Sequence, residues 1–435
     1  MIDEPYLFVR AASLYLTVAL TALVWVWRRP SPRALAGAML GFCWNLPVIL
    51  GLHVVAELAG WWHFDAQGGL LLGMPVEAWL SWAWLWGAVP ALAFPSTPLA
   101  AVALMALLID LVVMPAAEPL VRLGPLWVAG DLVGIFLGLV PSQILARWTL
   151  HRERLAYRAV LQIVAFTGVV LFILPVSVIE GSGSTWRNPL LFPMWKLSLA
   201  LQMLAVPAIL GLTAVQEFVT RGGGTPVPFD PPQRLVTSGV YAYVRNPMQL
   251  SAAVLLLILG LVLGNMWVSA AGVMAHFYSY GLAGSDENED LRQRFGDDWL
   301  RYRRAVRSWL PRVRPSYRRD DVVARLFVSA ECQMCLGVWR WFACRSPRGL
   351  HIVAAEAHSC GALTRITYEP VDGTPPSSGV EAIARGLEHI HLGWALIGFF
   401  LRLPIVCTLA QLLAEASGAE PRRIRQVSQV RTPPA

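Results

Sequence analysis

Charge is what this chain has little of: 14% of its 435 residues are Asp, Glu, Lys or Arg, against 56% hydrophobic. That scarcity excludes a soluble globular protein of this length and makes an integral membrane protein the expectation. A small-residue cleavage site is missing after the first apolar run, which is also too long for a signal peptide, so the run is expected to remain as a span. There is no internal repeat and no second Cys-x-x-Cys, although the chain holds six cysteines. The basic surplus, +7 overall, calls for no nucleic-acid partner. It gathers at the edges of apolar runs, where anionic headgroups attract each basic residue by about 1 kcal/mol.

What is present is a succession of apolar runs of about 20 residues, the length at which a helix crosses roughly 30 Å of hydrocarbon. Nine spans are predicted, near 7–26, 34–58, 76–94, 98–117, 124–146, 157–180, 192–219, 249–264 and 265–283. Arginines near span ends stay cytoplasmic. Arg28, Arg29 and Arg33 follow the first span, Arg147, Arg152, Arg154 and Arg158 the fifth, and Arg221, Arg234 and Arg245 the seventh. Eight Arg lie between 301 and 319, after the ninth. Odd connections are therefore expected inside, the N-terminus with Asp3 and Glu4 outside, and the C-terminus in the cytoplasm.

Composition divides the chain into three regions: a multi-span membrane region of unassigned role (1–158), a second membrane region with a basic amphipathic tail (159–319), and a region of soluble composition (320–435). The Pro- and Gly-rich stretch 222–232 cannot be helical and leads from the seventh span to a two-part signature. Its first part is Gly239-Val-Tyr-Ala-Tyr-Val-Arg-Asn-Pro-Met248. Its second runs from Glu287 through Leu291, Phe295 and Gly296 to Trp299, Tyr302 and Trp309-Leu-Pro-Arg312. A short apolar hairpin separates the two, so both parts are expected to meet at the membrane surface.

Each residue type has a chemical use there. Pro247 marks a helix start, whose free N–H groups suit a carboxylate, and Arg245 adds a bidentate donor for such a group. Tyr241 and Tyr243 offer faces for a nucleobase or a sulfonium. Glu287, at the start of a helix over 286–308, is placed to bind a ribose hydroxyl or position a proton. Leu291, Phe295, Trp299, Tyr302 and Val306 share one face of that helix.

This constellation resembles the isoprenylcysteine carboxyl methyltransferase and phospholipid methyltransferase superfamily of membrane enzymes. Gly239, Tyr241, Tyr243, Arg245 and Pro247 match the first half of the family pattern. Glu287, Leu291, Phe295, Gly296, Tyr302, Pro311 and Arg312 match the second, and the loop 224–232 looks like bacterial members. The resemblance implies S-adenosylmethionine as cofactor, held by Gly239, Tyr241, Tyr243, Arg245, Asn246, Pro247, Glu287 and Tyr302, with Arg245 and Glu287 in catalytic positions. It implies methyl transfer to a lipophilic acceptor entering from the bilayer, in a bacterial inner membrane. Asn246, Gln249 and Asn288 stand where the family has His, Tyr and Glu; Asn keeps a hydrogen bond but does not titrate.

In the third region, Cys332-Gln-Met-Cys335 follows the apolar run 322–328 and precedes a helix-like stretch, 336–344. A dithiol there has its first thiolate favoured by the helix start. Inert thiols, or zinc held with Cys344, Cys360, His351 and His358, are the other readings; no metal is expected. The segment also resembles the thiol-disulfide oxidoreductase-like family named for Asp-x-x-Cys-x-x-Cys, through Cys332, Cys335, the 377–382 stretch and an ending with Trp394, Arg402-Leu-Pro404 and Gly418-Ala-Glu-Pro-Arg422. That implies a small α/β thioredoxin-like domain, catalytic Cys332 and Cys335, and a thiol redox partner. Ser329-Ala330 replaces the family's acidic–glycine pair. The apolar stretch 387–414 is expected to form amphipathic helices apposed to the membrane.

The expected fold is thus mainly α, a polytopic membrane protein with a small cytoplasmic α/β domain. The expected function is a membrane methyltransferase; a membrane-anchored thiol-disulfide oxidoreductase or a degenerate lipid-binding scaffold are the alternatives. His53, Glu57, Glu77, Asp110, Glu118 and Asp131 remain as intramembrane functional candidates; His53 and Glu57 share a helix face, as an ion pair or a metal pair.

Overall fold

A computed structural model describes residues 4–118, 120–227, 229–278, 284–318, 320–358 and 363–422. The chain is mainly helical and divides into two compact units. Unit one comprises Met1–Leu191, Gly224–Pro231 and Leu256–Ala271; unit two comprises Phe192–Gly223, Pro232–Leu255 and Gly272–Ala435. Residues 320–435 therefore belong to the same unit as the helix that leads into the signature.

In unit one, α1 (Glu4–Arg28) and α2 (Pro32–Ala59) precede three short strands, β1 (Trp62–Phe64), β2 (Leu70–Leu71) and β3 (Met74–Pro75). Then come α3 (Val76–Ala93), α4 (Leu99–Ala116), β4 (Val121–Leu123), α5 (Trp127–His151) and α6 (Leu155–Gly181). Ser31 caps α2 by accepting the Ala34 N–H at 3.2 Å, with Pro32 in the first turn, where it removes no needed donor. Gly60, at φ 66°, ends the helix in the left-handed region that glycine enters at no steric cost. Small residues let the helices touch by backbone: a Cβ on Gly87 of α3 would lie 2.5 Å from the Gly41 carbonyl carbon of α2. Around that seam lies a core of Leu50, Ala83, Met114, Leu139 and the tryptophans 62, 79 and 86. β1 pairs antiparallel with β4, Trp62 opposite Leu123, and β2 with β3.

Unit two opens with α7 (Met194–Gly222) and the signature loop. The hairpin is α8 (Pro247–Leu263) and α9 (Met266–Tyr278), of which Leu256–Ala271 is counted with unit one; α10 (Gly284–Ala305) follows in unit two. At Gly296, φ 51° and ψ −125° interrupt α10. Beyond it lie β5 (Ala324–Val328), α11 (Gln333–Ala343), β6 (Leu350–Ala354), β7 (Thr367–Pro370), β8 (Ser377–Ser378), α12 (Val380–Leu387), α13 (Leu392–Leu401) and α14 (Pro404–Ala416). The four-stranded sheet has the order β6-β5-β7-β8, with β5 parallel to β6 and antiparallel to β7. Leu326, Val328, Phe342, Leu350, Tyr368 and Ala382 fill its core.

Among the described residues, six helices are long and apolar enough to cross a membrane: those at 7–28, 32–59, 99–116, 127–151, 155–181 and 194–222. A seventh is possible if α13 and α14, bent by 88° at Arg402–Leu403, make one broken span. The predicted spans at 249–264 and 265–283 form helices of 17 and 13 residues, and α3 is 18 residues long without reaching the same apolarity. This is a membrane protein by its helices; of the nine predicted spans, the two of the hairpin are met by shorter helices and the third by the less apolar α3, while residues 279–283 of the ninth lie outside the described residues.

Candidate functional site

The two parts of the signature meet backbone to backbone within unit two. The Arg245 N–H donates to the Arg307 carbonyl at 2.9 Å and the Asn246 N–H to Ser308 at 3.1 Å. From the other side, Arg312 N–H donates to Tyr243 at 2.9 Å and Ser316 N–H to Ala242 at 2.9 Å. Gly239, at φ 58°, lets the loop turn against α7; a Cβ there would sit 3.1 Å from the Glu217 carboxyl carbon. Pro247 then starts α8, where its missing N–H costs no helix bond.

The tyrosines face inward. Tyr243 is fully buried and its hydroxyl donates to the Glu388 carbonyl at 2.7 Å; Tyr302 donates to the Tyr241 carbonyl at 2.9 Å. Burial pushes both phenols well above their ordinary value, so they remain donors at any working pH. They shape the loop, together with buried Tyr241, Trp299 and Val306.

Arg245 is half-buried on this loop. Its guanidinium bonds Ser308 Oγ, donates to the Arg303 carbonyl at 3.3 Å and lies 5.5 Å from the Trp299 ring centroid. Beside it the Trp299 Nε1–H is buried and has no acceptor among the described residues. Arg312 donates through Nη1 to Ala305 at 2.5 Å, while its buried Nε also lacks an acceptor there. Asn246 and Gln249 are half-buried on the same loop. The Glu287 side chain, in the first turn of α10, lies outside the described residues.

A second cluster stands at the start of α11. Cys332 occupies the cap position of α11 with extended backbone, φ −92° and ψ 122°. The Cys335 N–H and the Cys335 thiol hold the Cys332 thiol below its ordinary value. Cys335 is pushed up to about 12, first by burial and then by its hydrogen bond to Cys332. The two thiols are thereby unequal, Cys332 the more acidic and Cys335 the less.

Glu356, at the end of β6, accepts the Ser329 hydroxyl at 2.6 Å and the Ala330 N–H at 3.0 Å. Burial raises its carboxyl, but the Ser329 and backbone hydrogen bonds outweigh that and hold it below the usual range, so it stands charged beside the dithiol loop. Of the proposed zinc ligands, Cys344 is exposed, His358 lies 3.9 Å from Glu369, and Cys360 is outside the described residues. No group of three His, Cys, Asp or Glu side chains gathers as a metal site among the described residues.

Between these clusters lies a buried ion network. Glu217 of α7 accepts from Arg402 at 2.5 Å, Arg385 at 3.2 Å, Arg221 at 3.1 Å and the Ser238 hydroxyl at 2.6 Å. Arg402 also holds Glu388 at 2.6 Å. The network joins α7, the start of the signature, α12 and the α13–α14 bend.

No protein-family model, curated protein or solved structure matches this chain. Function is therefore argued from the chemistry of the sites. Three contributors were not singled out for these roles from sequence: the Trp299 N–H, without an acceptor among the described residues, Ser308 as the Arg245 acceptor, and Glu356 beside the dithiol. Trp299 carried a signal, its place on the α10 face shared with Tyr302. Glu356 carried none, being joined to Ser329 only by the pairing of β5 with β6.

Proposed function

We propose that the chain is a membrane-embedded methyltransferase that uses S-adenosylmethionine and a lipophilic acceptor. The observation that carries this is the convergence of Arg245, Trp299 and Arg312 at the seam between the two signature halves. The buried Trp299 Nε1–H and Arg312 Nε–H, without acceptors among the described residues, fit a ligand that brings oxygens, and Arg245 beside them suits its carboxylate. When bound, S-adenosylmethionine would supply an activated methyl group on a sulfonium. Arg245 and the α8 start would hold its carboxylate end, and Trp299 would donate to an oxygen. Tyr241, Tyr243 and Tyr302 would act by shaping the loop. Such a transfer gains mainly from positioning and from exclusion of water. In this reading nine spans place the seam at the cytoplasmic face, with the N-terminus outside and the acceptor entering from lipid. The test is calorimetric binding of S-adenosylmethionine to the full-length protein in detergent. Wild type should bind, and Arg245→Ala and Glu287→Ala should each weaken binding by about tenfold or more, a loss of at least about 1.4 kcal/mol. A wild-type protein that binds no S-adenosylmethionine would sink the reading.

A second activity, thiol–disulfide exchange, is favoured by the unequal thiols of Cys332 and Cys335. The strand order β6-β5-β7-β8, with the dithiol between β5 and α11, is the arrangement a thioredoxin-like domain needs. The Cys332 thiolate would attack a partner disulfide, forming a mixed disulfide and releasing one partner thiolate. Cys335 would then lose its proton and attack Cys332 Sγ, releasing the second partner thiolate, so that the partner gains two electrons and Cys332–Cys335 becomes a disulfide. Mass spectrometry of limited alkylation checks this: Cys332 should be modified first at neutral pH. Equal labelling of Cys332 and exposed Cys344 would reject it.

A further inference from the structure

Unit one holds a line of titratable side chains that neither proposed activity uses. Asp131 of α5 is 2% exposed and Asp110 of α4 is 6% exposed, both within helices that qualify as membrane spans. Asp110 accepts the Trp86 indole N–H at 3.3 Å. Asp131 Oδ2 is buried with no hydrogen-bond partner among the described residues. It lines a cavity of about 10 Å³, the room one water needs, together with His53 and the apolar Ile49, Leu52, Met74 and Met114.

His53, 1% exposed, faces the same cavity. Its Nε2 lies 3.1 Å from the Leu72 carbonyl, which can only accept, so Nε2 carries the hydrogen and Nδ1 keeps its lone pair. Nδ1 is buried and unpartnered among the described residues. One water would find an acceptor at Nδ1 and a second polar partner at Asp131 Oδ2. On the other side, His53 Nε2 lies 3.8 Å from Glu57 Oε1, and that oxygen lies 2.9 Å from His63 Nδ1. Glu57 is one-third exposed and His63 about two-thirds, so the line ends in solvent.

We propose that unit one contains a proton-exchange site at the Asp131 carboxyl, connected to the surface through His53, Glu57 and His63. An acid in a span's interior is costly when charged and unpaired, and such acids mark proton paths. The nearby charges are engaged elsewhere: Arg10 with Glu77 at 2.7 Å, Arg122 with Asp65, and Glu180 with the Leu72 N–H at 3.0 Å. No salt bridge to Asp110 or Asp131 occurs among the described residues. A proton leaving Asp131 crosses the water to His53 Nδ1; the Nε2 proton passes to the Glu57 carboxylate and on to His63. Uptake is the reverse, and no electron moves.

Infrared difference spectroscopy on the full-length protein in lipid vesicles tests this. Wild type should show a protonated-carboxyl band at neutral pH that Asp131→Asn removes or shifts. In D2O, exchange of that band should slow by about a hundredfold in His53→Phe and in Glu57→Gln, and stay unchanged in Glu77→Gln. Absence of the band in wild type overturns the proposal, as does exchange in Glu57→Gln at the wild-type rate. The isosteric Glu57→Gln, at a side chain one-third exposed, keeps the test decisive where a core variant fails to fold.

Discussion

In unit two the buried acids Glu217 and Glu388 are answered by Arg221, Arg385 and Arg402, while in unit one Asp110 and Asp131 have no cation within ion-pair distance among the described residues. The same residue class does opposite work. A carboxylate with three guanidiniums and a hydroxyl has every lone pair used, which fixes the geometry of α7 against α12 and the α13–α14 bend. A carboxyl with an empty lone pair facing a water-sized cavity has kept its capacity to exchange a proton. Completeness of pairing, more than burial, separates scaffold from site.

The largest expected effect breaks the paired side. Arg402→Ala would leave Glu217 and Glu388 buried with one partner fewer, and should cost about 3–5 kcal/mol of unit-two stability. Thermal unfolding in detergent checks it. The double variant Arg402→Met with Glu217→Gln should recover part of that loss, because it removes the uncompensated charge. A single variant as stable as wild type would mean that the network is solvated.

His389 sharpens the comparison with a titration. It donates through Nδ1 to the Arg348 carbonyl at 2.7 Å and accepts from the Tyr368 hydroxyl at 2.9 Å, and it stacks on Tyr317. Burial holds it neutral, with its pKa lowered to about 4 from 6.5. Between those values the unfolded chain binds a proton that the folded chain refuses. The contribution is therefore complete above about pH 6.5 and is lost as pH falls toward 4, by about 3 kcal/mol. Melting curves across that window should slope, and His389→Gln should flatten them.

The sequence makes much of this legible, unevenly. Apolar runs reveal membrane helices because lipid demands long apolar segments, yet the hairpin at 247–278 shows that apolarity alone does not set length. The signature's two halves can be expected to meet, since a short hairpin returns the chain to its start. Where the tyrosine hydroxyls point cannot be read locally: Tyr243 finds its acceptor at Glu388, 145 residues away. Glu217 looks like an ordinary helix-end acid, and its role appears only once Arg385 and Arg402 arrive from the far end of the chain. His53, Glu57 and Asp131 are visible in the sequence as candidates; the cavity that His53 and Asp131 share is not.

A smaller effect separates binding from packing at the signature. The Trp299 Nε1–H donates to nothing among the described residues, so Trp299→Phe keeps most of the buried ring and should lower stability by about 1–2 kcal/mol. Its effect on S-adenosylmethionine binding should exceed that of Ser308→Ala, which removes only an Arg245 support.

The smallest effect is the most discriminating. If Asp131 is protonated at rest, Asp131→Asn replaces one neutral polar group by another, and stability at pH 7 should change by less than about 1 kcal/mol. The matching Glu217→Gln removes a charge that three arginines surround and should cost several times more. The two substitutions are chemically alike, acid to amide at a buried site. Equal losses in the two units would mean that Asp131 is a charged, paired scaffold residue after all; a near-silent Asp131→Asn beside a damaging Glu217→Gln is what an exchangeable proton in unit one requires.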